Sequence, residues 1–146
     1  NKKAGKIVTY QTAILSYLDD TPRNTFVLEA TNREDAITLF NVVYNTMEKK
    51  PGEEEPMMNL LTWTEDGQWV VCIFPRSKHR PSCYTAEGDA NILISPASVD
   101  MGGVFITPLE KDFEKLTATD IAAILGEVCL STDEFYKLRQ RIKEQL

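Results

Sequence analysis

Histidine is nearly absent from this chain: His79 is the only one in 146 residues. A paired-histidine catalytic motif within the chain is therefore excluded, and one imidazole is too few for an ordinary zinc site. Cysteine is also sparse. Cys72, Cys83 and Cys129 are an odd number at wide spacing, with no Cys-x-x-Cys pair. They read as reduced thiols in a reducing, cytoplasmic setting, with neither a metal nor a cofactor expected. Long apolar runs are missing, since none approaches the roughly 20 residues that span a bilayer, so no membrane association is expected. Neither a signal-peptide pattern nor an internal repeat is present. Positive charge is the scarcer sign: 16 Lys and Arg stand against 22 Asp and Glu, a formal net charge of -6. Such a chain repels a phosphate backbone, which argues against nucleic acid as a partner.

What remains suits a folded domain. Hydrophobic residues make up 42% and charged residues 26%, enough apolar surface for a core. The length fits a single domain over residues 1–146. The chain begins with Asn1 rather than Met, and the expectation is the C-terminal part of a longer protein.

Short β-rich runs occupy residues 6–10, 25–30, 57–64 and 68–74, while 12–17 is ambiguous between strand and helix. Residues 19–24 have turn composition. Glu65-Asp-Gly67 is a hairpin signal. Thr31-Asn-Arg-Glu34 has the form of a capping box. It opens a predicted helix with Ala36, Ile37, Phe40, Val43, Tyr44 and Met47 on its apolar stripe, ending near Lys49-Lys50. Residues 75–90 form a long connection of unassigned structure. Residues 91–95 and 104–107 read as two more strands, with Met101-Gly-Gly103 as a bulge or close approach between them. Two final helices are announced by Thr117-Ala-Thr-Asp120 and Ser131-Thr-Asp-Glu134. This order predicts an α+β domain with an antiparallel sheet and helices packed on one face.

Arg76, Lys78, His79 and Arg80 lie within five residues, directly after a strand and between Pro75 and Pro81. A guanidinium fork and an ammonium both match phosphate oxygens. The same cluster also fits an ordinary loop neutralised by nearby carboxylates. His79 is flanked by two cations, Lys78 and Arg80. Gly102 and Gly103 can bring backbone N–H donors close to an anion, or simply shape a bulge. Asn59 suits either a ligand contact or a satisfied interior site, and Lys111-Asp112 reads as a surface pair. The aromatic side chains fit core positions. No residue is assigned a catalytic role.

Ser95-Pro-Ala97, Gly102-Gly103, Lys111-Asp-Phe113 and Gly126-Glu-Val-Cys-Leu-Ser131 carry a resemblance. This stretch resembles the C-terminal region of GDP-hexose (GDP-L-galactose or GDP-D-glucose) phosphorylase-like proteins. Those are relatives of the histidine-triad and galactose-1-phosphate uridylyltransferase families. The likeness is clearest over residues 94–135 and weaker over 59–84. It implies a histidine-triad-like fold and a nucleotide, nucleotide-sugar or dinucleotide partner together with phosphate. In that lineage the nucleotidyl group passes through a histidine of a His-x-His motif, which has no match here. The resemblance therefore implies a domain that contributes phosphate binding through Arg76, Lys78, His79, Arg80, Gly102 and Gly103, with the nucleophile elsewhere. A non-catalytic ligand-binding or homodimerising domain of the same fold is the alternative.

Overall fold

A computed structural model describes residues 3–18 and 22–146. Among these, five strands form one antiparallel sheet in the order β1-β2-β3-β5-β4. The strands are β1 (Lys3–Tyr10), β2 (Ala13–Leu18), β3 (Thr25–Ala30), β4 (Met58–Glu65) and β5 (Gln68–Pro75). The helices are α1 (Arg33–Thr46), α2 (Ser98–Met101), α3 (Glu110–Lys115), α4 (Ala118–Val128) and α5 (Thr132–Glu144). The domain is α+β, as its element pattern implies. Residues 19–21 of the expected 19–24 turn lie outside the described residues.

The β4–β5 hairpin forms where its sequence places it. Asp66 and Gly67 both have positive φ, +49° and +74°, the backbone a tight two-residue hairpin turn needs. The ambiguous stretch 12–17 resolves as strand β2. Its turn from β1 is fixed from outside: the Thr12 hydroxyl donates to Asp35 at 2.6 Å and accepts from the Asn32 N–H at 3.1 Å. The N-cap of α1 is Asn32 rather than Thr31, its Oδ1 accepting from Glu34 and Asp35. The helix ends at Thr46, short of the lysines. Ala36, Leu39 and Val43 form its buried stripe, while Ile37 is exposed.

The expectation of helices on one face is corrected by the pleat of β5. Ile73 packs into a core with Leu15, Phe26 and Leu28, under α1 and α5. Its neighbour Phe74 packs with Met101, Leu125 and Val128. Successive strand residues face opposite sides, so α4 and the 101 region cover the second face at the β4–β5 end. Burying each large apolar side chain contributes about 1.5–3 kcal/mol. Phe26 and Phe135, with ring centroids 4.6 Å apart, tie the sheet to α5.

Residues 91–95 and 104–107 are not strands. Their Val, Ile and Thr content suits a sheet, but β4 has only β5 beside it and neither segment finds a ladder. Val104 and Ile106 are instead solvent-exposed. The 91–96 segment is held by side chains: Asp112 accepts from the Leu93 N–H at 2.9 Å, and the Pro96 carbonyl accepts from Arg76 at 2.9 Å. The expected bulge at 101–103 is the end of α2. Gly103 (φ +105°) donates to Asp100 and Val104 donates to Val99, the paired bonds of a left-handed helix cap.

Candidate functional site

Strand β5 runs out along the α4–α5 junction. Leu130 N–H donates to the Pro75 carbonyl, and Ser77 N–H donates to the Val128 carbonyl at 2.8 Å. The Ser77 hydroxyl donates to the Glu127 carbonyl, also at 2.8 Å. Pro75 and Pro81, both buried, bracket the turn.

Arg76 is buried at the root of this turn. Its Nε donates to the Val128 carbonyl at 3.1 Å. Nη1 donates to Asn59 Oδ1 and to the Pro96 carbonyl. Nη2 donates to the carbonyls of Lys78 and His79 at 3.1 and 2.9 Å. All five N–H donors of a guanidinium thus meet acceptors within the chain. The side chain is a fastener that shapes the turn, and it has no N–H left for a phosphate. Burial pulls its pKa down, opposed by Cys129 and Asp100. Asn59 is a satisfied interior amide, with Oδ1 toward Arg76 and Nδ2 toward Ser98.

The other three basic side chains project from the fastened turn. Lys78 pairs with Glu127. Glu127 also accepts from the Ser82 N–H at 2.7 Å. The Lys78 ammonium, followed by the Ser82 donors, holds the Glu127 carboxyl below its usual range. Arg80 stacks over the Tyr84 ring at 4.3 Å and reaches Ser95 Oγ through Nε. Its two terminal nitrogens, and both ring nitrogens of the exposed His79, have no hydrogen bond among the described residues. This arrangement can present positive charge to an anion. Cys83 sits close by, but burial and then Glu127 push its thiol up, away from the reactive thiolate.

Gly102 and Gly103 are not part of this cluster. They close the C-terminal end of α2, and their N–H groups donate to the Ser98 and Asp100 carbonyls. A side chain at Gly102 would meet the Val99 carbonyl at 3.2 Å and Leu61 at 3.3 Å. Close packing and a helix cap therefore account for both glycines. Lys111 is exposed as expected, whereas Asp112 is fully buried. Asp112 anchors residue 93 and is held ionised by Lys111 and then by the Leu93 N–H. Sequence reasoning took Asp112 for half of a surface pair, whereas it is a buried anchor. It quoted Glu127 only within the motif Gly126-Glu-Val-Cys-Leu-Ser131 and gave it no role in the turn. Among the described residues, no group of three or more His, Cys, Asp or Glu side chains is placed to hold a metal. All three cysteines are free, and no helix is long and apolar enough to cross a membrane.

A fastened basic turn on an α+β frame is a structural class rather than an activity. Residues 2–146 match the family described as GDPGP1-like, C-terminal domain, and the chain belongs to that family. No curated protein and no solved structure matches the chain.

Proposed function

We propose that this domain is the C-terminal part of a nucleotidyl-transferring, phosphorylase-like protein of histidine-triad-like fold, acting on nucleotide-sugars or dinucleotides. Its contribution is phosphate binding by the turn after β5, while another part of the protein supplies the nucleophilic histidine. One observation carries the reading. In a chain of net charge -6, Lys78, His79 and Arg80 project from a turn whose backbone is fixed by buried Arg76. A preorganised turn binds an anion without the entropy cost of ordering a loop. The family assignment supports a nucleotide-sugar phosphorylase context, and three free thiols suit a cytoplasmic setting.

The test is calorimetric titration of GDP and a GDP-hexose into the chain and into its Lys78→Ala and Arg80→Ala variants. Each variant is expected to bind about tenfold more weakly, the equivalent of one charge-assisted hydrogen bond. Equal affinity in all three proteins removes the turn from the site.

A second reading is a non-catalytic dimerisation domain. The exposed side chains of Val104, Ile106 and Phe113 favour it, since large apolar side chains left at the surface can contribute to an interface. Sedimentation of a V104S/I106S variant alongside the parent chain separates dimer from monomer.

A further inference from the structure

Among the described residues the sheet has two open edges, β1 and β4. An open edge is a row of unpaired N–H and C=O groups, which folded chains blunt with bulges, lysines or prolines. Strand β1 has such devices: two register shifts against β2, and Lys6. Strand β4 has none. It keeps an unbroken register with β5 over eight residues, and its only charge is Glu65, at the end.

The pairing shows which groups β4 leaves over. The Arg76 N–H donates to the Met57 carbonyl at 2.9 Å, so the odd-numbered residues of β4 turn their backbone groups toward β5. Pro75, which has no N–H, accordingly lies opposite Met58. Leu60, Thr62 and Thr64 turn theirs outward, where no backbone group meets them among the described residues. All three are exposed, and so is Trp63, at 44%. Helix α2 bonds to this strand only through the Asn59 side chain, which donates to Ser98.

We propose that β4 pairs antiparallel with β4 of a second copy of this chain, about a twofold axis at Thr62, and so joins two sheets into one. The strand's self-complementarity selects a second copy as the occupant, because a twofold interface sets one surface against itself. With Thr62 opposite its own copy, Leu60 faces Thr64. Leu61 faces Trp63 on both sides of the axis, in the non-hydrogen-bonded pairs where side chains come closest. Glu65 meets Asn59, so no like charges are opposed. Moving the axis to Trp63 would set Leu61 against Glu65 instead. The proposal makes no use of the phosphate turn, and it names a different surface from Val104, Ile106 and Phe113.

Sedimentation of the whole chain and disulfide trapping test it. The parent is expected at about twice the 16.5 kDa of one chain, and V104S/I106S is expected to stay dimeric. Thr62→Pro removes an outward N–H, which an edge strand tolerates. It is expected to sediment as a monomer with an unchanged circular dichroism spectrum. Under mild oxidation Thr62→Cys is expected to give a covalent dimer, because the Cα atoms of a hydrogen-bonded pair lie about 5.5 Å apart, within disulfide reach. Thr64→Cys and the parent are expected to give none, since the two Thr64 positions are offset by roughly 13 Å along the strand. A parent chain that is monomeric at millimolar concentration overturns the proposal. So does a folded Thr62→Pro dimer, a dimer dissociated by V104S/I106S alone, or cross-linking at Thr64 in place of Thr62. If Thr62→Pro fails to fold, the cysteine variants decide, and an uncross-linked Thr62→Cys overturns the pairing.

Discussion

Arg76 donates from Nη1 to the carbonyl of Pro96 at 2.9 Å, joining the end of β5 to a segment that has no strand partner. Through its other donors it also holds the backbone at Lys78, His79 and Val128. One buried cation therefore fixes both the basic turn and the approach to α2.

Replacing Arg76 should leave several buried carbonyls without donors. Arg76→Ala is expected to lower stability by about 3 kcal/mol. Arg76→Lys should recover little, since a single ammonium cannot reproduce a planar fork. Urea unfolding midpoints check both, and a lysine variant as stable as the parent would refute the fastener.

The start of α1 separates two neighbouring residues. Asn32→Ala should cost about 1 kcal/mol, the usual loss of a cap, whereas Thr31→Ala should change stability by less than about 0.5 kcal/mol. Thermal unfolding of the two variants in parallel distinguishes them.

Gly103 has a φ of +105°, where a side chain is strained. Gly103→Ala is expected to destabilise the domain by about 1–2 kcal/mol. Because its N–H serves α2, a substitution that remains folded should leave nucleotide affinity unchanged. Calorimetry on the variant reads the second half of this expectation.

Glu127 supplies a pH dependence. Its folded pKa is depressed by Lys78 and Ser82, so its contribution is complete above the ordinary glutamate pKa. That contribution fades as pH falls through the depressed folded value. Glu127→Gln should be less stable than the parent by about 0.5–1 kcal/mol at neutral pH, with the gap closing in acid. A gap that widened on acidification would contradict the pairing.

Much of the frame was legible because local chemistry and tertiary packing agree. Thr117 with Asp120 and Ser131 with Glu134 form capping boxes in the fold, and Phe135, Leu138 and Ile142 bury the expected face of α5. Asp66 and Gly67 carry their own turn geometry. The β1–β2 turn does not, since Gln11 takes a positive φ of +50° in a turn bonded to residues of α1. Residues 91–95 and 104–107 have strand composition, yet a strand needs a neighbour, and that depends on the whole sheet. The basic cluster was visible as charge, but its division of labour was not. Arg76 is bonded by acceptors at residues 59, 78, 79, 96 and 128, which no local pattern brings together.

The most direct measurement compares the affinities of guanosine and GDP for the chain and for a Lys78→Ala/Arg80→Ala double variant. The expected result is that GDP binds the parent chain more tightly than guanosine and that this advantage disappears in the variant. A GDP advantage that persists without Lys78 and Arg80, or one that is absent from the parent chain, would contradict a phosphate site on the turn.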